Sequence, residues 1–362
     1  MRRRFAALLE PDKDAYDVYL DQFEPGLNTE KCDAFFNELK EGIVPLINKI
    51  MASPDKPDES ILKGPWDIEK QRQLSPRIMK LIGLDLNHVA IGESEHPFTS
   101  GFYNGDVRIT THYYEDEMLS NLYSVVHEGG HALYESHISD RYFATSLAGG
   151  VSMGIHESQS RMFENCIGRS REFIKCILPM LKELFPVRFE NTELEELYRA
   201  VNVARPGLIR TEADEVTYCL HIILRYELEK QLMNGSLKVK DLPEAWNKLM
   251  KELLGLEVPC DAKGVLQDIH WAGGDLGYFP SYALGTAYAA QFMEAMRREM
   301  PLDELIEKGE FAPILSWLEE HIWQYGSEHS PEWLIRNACG EDFSPRYYLD
   351  YLNKKYSEIY SL

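Results

Sequence analysis

Residues 29–50 place Cys32, Phe35, Phe36, Leu39, Ile43, Leu46, Ile47 and Ile50 at three- and four-residue steps, the spacing of one buried face on an α-helix. Asn28 or Thr29 stands where an N-cap belongs, and Pro45 within the run predicts a kink or a division. The same period recurs at about 68–82, 116–138, 154–182, 192–203, 211–234, 241–254, 280–299, 303–324 and 345–359. Such a chain is expected to fold as a mainly α protein. The one departure is 87–113, where Val89, Ala90 and Ile91, and then Val107 to Thr111, flank the turn-forming run Phe102-Tyr103-Asn104-Gly105-Asp106. That stretch predicts a small β element of two or three strands beside a central helix. No long repeat or low-complexity tract interrupts the pattern, and the Pro-rich Ser53–Pro57 patch is too short for a domain linker. Residues 1–362 are therefore expected to form a single domain.

Charge narrows the partners. Thirty-eight basic against 59 acidic residues leave a formal charge of −21, a field that repels nucleic acid phosphates and anionic membrane surfaces. No run of about 18 apolar residues is present to span a bilayer. The apolar stretch behind Arg2-Arg3-Arg4 ends at Leu9, too short for a signal-peptide core. Six cysteines without a Cys-x-x-Cys pair sit in apolar or mixed surroundings, as expected of reduced thiols in a cytoplasmic protein.

The chemistry concentrates in Val126-His127-Glu128-Gly129-Gly130-His131-Ala132-Leu133. On a helix, His127 and His131 share a face and can reach one ion, with Glu128 beside them as general base. Leu119, Leu122, Val125 and Val126 put this motif on a largely buried helix, where unpartnered imidazoles and a carboxylate are costly. The pair Gly129-Gly130 costs the helix roughly 2 kcal/mol relative to alanine, so something is expected to approach the backbone there. A catalytic zinc takes three protein ligands and leaves one position open. Glu157, in His156-Glu157-Ser158-Gln159-Ser160-Arg161 after the Ala148-Gly149-Gly150 loop, is the first candidate for the third ligand. Glu164 is the alternative, and Glu135 would point along the histidines' own helix. His156 and Arg161 are expected to support the ligands or to pack.

Further motifs follow in order: His96-Pro97-Phe98; Asp106-Val107-Arg108-Ile109-Thr110; the two-histidine helix; the His156–Arg161 run; Ile209-Arg210-Thr211-Glu212-Ala213-Asp214; Gly264-Val265-Leu266-Gln267-Asp268-Ile269-His270-Trp271; and Gly277-Tyr278-Phe279-Pro280-Ser281-Tyr282. In these the sequence resembles the carboxypeptidase Taq family of zinc metallocarboxypeptidases. The resemblance implies a helical fold around a long groove, one divalent metal at its floor, removal of C-terminal residues from peptides, and frequent homodimers. It implies His127, His131 and Glu157 as metal ligands, Glu128 as general acid and base, and Arg210 and His270 as substrate-binding residues. It also associates Asp106 and Arg108 with the groove wall. The metal is expected to be Zn2+, with Co2+ or Mn2+ also suited to the donor set.

Physical chemistry supports these roles independently. A C-terminal exopeptidase must grip a free carboxylate, for which arginine is suited, although acidic neighbours could instead make Arg210 one member of a surface ion pair. Tyr278 and Tyr282 could donate to a developing oxyanion or simply pack at a helix entrance. His270 could equally be a core histidine. Phe5-Ala6-Ala7-Leu8-Leu9 matches a point well inside the usual family chain, so helices of the groove wall or lid are expected to be missing. Two alternatives to a carboxypeptidase therefore stand: an endo-acting oligopeptidase, and a metal- or peptide-binding protein or partner subunit with impaired catalysis.

Overall fold

The computed structural model describes all 362 residues. Helices dominate, and the helix Thr29–Ala52 buries the eight residues whose spacing predicts it, with Asn28 capping its start by accepting from the Lys31 N–H at 2.9 Å. Pro45 lies inside this helix without dividing it. Four other helices build the functional region: α1 (Met118–Ser136), α2 (Met153–Arg161), α3 (Tyr218–Asn234) and α4 (Phe279–Glu299). The β element has three strands, β1 (Val89–Glu93), β2 (Thr99–Tyr103) and β3 (Asp106–Thr111). Strand β3 is central, parallel to β1 with Val89 opposite Val107, and antiparallel to β2 with Thr99 opposite Ile109. Period-two alternation buries Val107, Ile109 and Thr111, and this side of the sheet packs on α1.

Several predicted helices are shorter than their apolar period. The 154–182 run is α2, a π-helical turn at Met162–Ile167, and a separate helix Arg171–Leu184. Ser170 restarts the chain by capping the Phe173 N–H at 3.1 Å. In the 211–234 run only Tyr218 onward is α-helical, because the Asp214 carboxylate accepts from the backbone of Val216 and Thr217 and from the Thr217 hydroxyl, shaping a turn instead. The 303–324 run splits into Leu302–Lys308 and Ala312–His321 at Gly309, a left-handed C-cap with φ +72°. Helices Arg2–Leu9, Ala15–Phe23 and Pro331–Cys339 lie outside the predicted set.

Ninety-two buried apolar residues from Ala6 to Tyr360 form one connected core. Helix α4 runs through it and buries 16 residues, among them Ala283, Gly285, Ala287, Ala289 and Ala290. Small residues let α4 lie close against α2: a Cβ on Gly285 would stand 2.7 Å from the Glu157 Cβ. No helix is long and apolar enough to cross a membrane.

Candidate metal centre and active-site cleft

Helix α1 carries His127 and His131 one turn apart, and α2 crosses it at Gly130. A Cβ on Gly130 would fall 2.6 Å from the Gln159 carbonyl oxygen and 2.8 Å from the Ser160 Cα, so the close approach anticipated at Gly129-Gly130 is the backbone of α2. Gly129 meets Ile82 on its other side, at 2.5 Å from a notional Cβ. This contact carries Glu157 to the histidines. Ligand atoms of His127, His131 and Glu157 all lie within 4.8 Å of one another, and Glu157 Oε2 is 3.8 Å from His127 Nε2 and 3.4 Å from His131 Nε2.

The other ring nitrogens are occupied. His127 Nδ1 is 2.8 Å from Glu164 Oε2, so Glu164 supports a histidine from behind rather than joining the three converging donors. His131 Nδ1 is 2.6 Å from His156 Nδ1, and His156 Nε2 is 2.7 Å from Glu135 Oε1. Each imidazole is thus held by its Nδ1 with Nε2 facing the centre, the arrangement that orients histidine ligands on a metal. Glu157 itself accepts from Arg161 Nε at 2.7 Å and from the Ser160 hydroxyl at 3.1 Å. Two imidazoles and one carboxylate converging from two helices, with outer partners in place, fit a single divalent ion.

Electrostatics favour the ligand form of Glu157 and His131 and the protonated form of His127. Burial favours the neutral form of Glu157, but Arg161 and the two histidines outweigh it and hold the carboxyl far below its ordinary range. Glu164 is likewise drawn down to about 2, burial being overcome by Arg161 and His127. His131 is lowered by burial and by the neighbouring histidines, against the pull of Glu157. For His127 burial is outweighed by Glu164 and Glu157, which raise it.

The centre opens into a cleft of about 550 Å³ lined by both histidines, Glu128, Glu157, Arg210, Tyr278 and Tyr282, among others. Glu128 Oε2 accepts from the Thr99 hydroxyl at 2.6 Å, which ties it to β2 at the cleft wall. Arg210 is almost fully buried, donates from Nε to Asp268 Oδ1 at 2.9 Å and from Nη1 to the Tyr218 hydroxyl at 3.2 Å, and remains a cation because Tyr218 and Asp268 outweigh burial. Its acidic sequence neighbours are not its partners. His270 stands behind the wall with Nε2 3.1 Å from the Tyr282 hydroxyl; burial and Arg210 lower its pKa to about 4. Asp106 and Arg108 pair with each other on the exposed face of β3, with Arg108 Nε 3.0 Å from Asp106 Oδ1, and neither lines the cleft.

The family model described as carboxypeptidase Taq (M32) metallopeptidase matches residues 1–356. The chain belongs to this family. Carboxypeptidase 1 of Bacillus subtilis (strain 168) is 44% identical over 361 residues, covering 99% of this chain and 72% of the relative. Thermostable carboxypeptidase 1 of Thermus thermophilus is 44% identical over 352 residues, covering 97% and 69%. The crystal structure of the M32 carboxypeptidase from Deinococcus radiodurans R1 superposes with a TM-score of 0.97 at 37% identity, covering 100% of this chain and 73% of that one. The helical groove architecture with a three-stranded sheet is that of the family.

Thr99, Ser160, Tyr218 and Asp268 also shape the site, although sequence reasoning did not single them out. Asp268 lies inside a quoted motif, and its place between Arg210 and Arg225 was the missing information. Thr99 carries no local signal, because its meaning depends on how the sheet sits on α1. Glu135, four residues after His131 on the same helix, bonds His156 of α2 and not that histidine, so its role depends on how the two helices pack.

Proposed function

We propose that this metallopeptidase is a zinc-dependent carboxypeptidase in which His127, His131 and Glu157 hold the metal and Glu128 is the general base. The observation that carries this reading is the convergence of the three donors on a cleft that also holds Glu128 and a buried Arg210. A divalent ion bound there supplies Lewis-acid polarisation of the scissile carbonyl and a more acidic water. Glu128, oriented by Thr99, takes the proton of the attacking water and passes it to the leaving amine. Arg210, fixed by Asp268 and Tyr218, keeps further N–H donors for the terminal carboxylate of a peptide. The hydroxyls of Tyr278 and Tyr282 line the same cleft, where they can donate to the developing oxyanion.

The family resemblance supports a homodimer, and six unpaired cysteines are consistent with a reducing, cytoplasmic setting. Co2+ and Mn2+ suit the same donors. Hydrolysis of an N-blocked dipeptide by metal-loaded wild type, Glu128→Gln and His131→Ala tests the assignment. Wild type releases the C-terminal amino acid. Glu128→Gln keeps its metal and loses about 10²–10⁴-fold in kcat, whereas His131→Ala loses metal and turnover together. Metal-dependent hydrolysis persisting in Glu128→Gln removes that residue from the role. Ready cleavage of C-terminally amidated peptides identifies an endo-acting oligopeptidase. No release by folded, metal-bound wild type leaves a binding protein or partner subunit.

A further inference from the structure

Residues 268–278 carry His270 and Tyr278, and both ends of this segment are held by one helix. Arg225 and Glu229 stand one turn apart on α3, and both are fully buried. Arg225 donates from Nε to Asp268 Oδ2 at 2.7 Å, at the start of the segment. Glu229 receives three donors: Trp271 Nε1 at 2.6 Å, the Gly277 backbone N–H at 2.8 Å and the Tyr16 hydroxyl at 2.7 Å. Trp271 directly follows His270, and Gly277 directly precedes Tyr278. One carboxylate therefore ties together two points of the loop, one next to His270 behind the cleft wall and one next to Tyr278 in the cleft lining.

The chain between these anchors opens with a short helical turn, His270–Gly273, closed by Gly274 at φ +86°. The His270 carbonyl accepts from the Gly274 and Asp275 N–H groups at 2.8 and 2.9 Å; these local bonds shape the turn but do not fix how it sits against α3. Gly277 also has φ +86°, and a Cβ there would fall 2.7 Å from the Tyr19 carbonyl carbon. The loop end is thus pressed against the helix Ala15–Phe23, whose Tyr16 completes the Glu229 cluster. An apolar residue could fill the space of Glu229 at less desolvation cost. A carboxylate, with two acceptor oxygens at a fixed spacing, can hold a side-chain donor and a backbone donor of the same loop at a set separation.

We propose that Glu229 is a positioning residue that sets the aromatic wall of the cleft by fixing both ends of the Trp271–Gly277 loop. Through His270 the effect reaches the Tyr282 hydroxyl, and Arg225 with Asp268 brings Arg210 into the same frame. The inference rests on the reading that Tyr278, Tyr282 and Arg210 face the peptide.

The test is Glu229→Gln in the full metal-loaded chain, which keeps the shape but replaces one acceptor with a donor facing donors. Three quantities are compared with wild type: metal content, KM and kcat on an N-blocked dipeptide, and peptide-resolved amide exchange. The expected result is unchanged metal content, a rise in KM of at least about fivefold that exceeds the change in kcat, and faster exchange over 268–278 without change over α1 and α2. Unchanged exchange over 268–278 overturns the proposal. A loosened loop with unchanged KM also overturns it, as does accelerated exchange throughout the chain, which marks a merely structural role. Should Glu229→Gln not fold, Trp271→Phe removes one donor while keeping an aromatic ring, with the same outcomes expected. Wild type that hydrolyses nothing defeats the carboxypeptidase reading, while the exchange comparison still decides whether Glu229 holds the loop.

Discussion

At the scale of single residues, the cleft holds a cation whose other bonds are already spoken for. Arg210 spends Nε on Asp268 and one Nη1 bond on Tyr218, its Nη2 stands 2.8 Å from Asp268 Oδ1, and its guanidinium carbon lies 5.0 Å from the Tyr282 ring centroid. One N–H on each Nη remains for a further acceptor. Lysine would keep the charge but neither the fork nor the simultaneous grip on Asp268. Arg210→Lys is therefore expected to lower kcat/KM for peptides with a free C-terminus by about 10–100-fold, the loss of one charge-assisted bidentate contact. The effect on kcat/KM for an amidated peptide should be much smaller. Equal losses on both substrates in steady-state assays would mean that Arg210 shapes the cleft without reading the carboxylate.

Among the elements, the decisive event is the crossing of α1 and α2 without an intervening side chain at Gly130. Helix packing usually sets axes 8–10 Å apart according to the side chains at the contact, and glycine allows the nearer approach. The π-helical turn at Met162–Ile167 follows directly and carries Glu164 to His127 Nδ1, consistent with the tendency of such turns to occur at functional sites. Gly130→Ala must push α2 away or distort it, since the added Cβ meets backbone rather than a movable side chain. We expect a destabilisation of about 1–3 kcal/mol, read by denaturant unfolding, with weaker metal binding in a competitive chelator titration. Full metal affinity in a destabilised variant would show that Glu157 reaches the histidines independently of this contact.

Across the whole molecule, buried carboxylates link distant parts of the chain. Glu24, at the end of the helix Ala15–Phe23, accepts from the Gly154 N–H at 2.9 Å and the Tyr288 hydroxyl at 3.1 Å, which joins that helix to α2 and α4. Burial raises its carboxyl from 4.5 to about 7, against its hydrogen-bond donors. Between these values the folded state holds more protons than the unfolded state, so this group's contribution is complete below pH 4.5 and fades as pH rises through about 7. Subtracting the unfolding free energy of Glu24→Gln from that of wild type should give a difference that falls over this window, by no more than about 1.4 kcal/mol per pH unit. A flat or rising difference would show that Glu24 is ionised in the folded state.

Local chemistry carries much of this protein in readable form. Helical period places the face of Thr29–Ala52 residue for residue, alternation places the inner side of β3, and the His127–His131 spacing puts two imidazoles on one side of α1, because each depends only on neighbours a few positions away. Gly129-Gly130 likewise announces a close approach, since its cost to a helix needs a reason. What approaches is decided by tertiary structure alone. The Gln159–Ser160 backbone fills the space at Gly130, Glu157 rather than Glu164 arrives at the imidazole Nε2 atoms, and Asp268 rather than a sequence neighbour takes Arg210. Asp106 and Arg108, adjacent in their motif to residues that pack on α1, turn to solvent because a strand alternates its faces. These outcomes depend on which surfaces meet after the chain has folded, information that is spread over residues 26 to 58 positions apart.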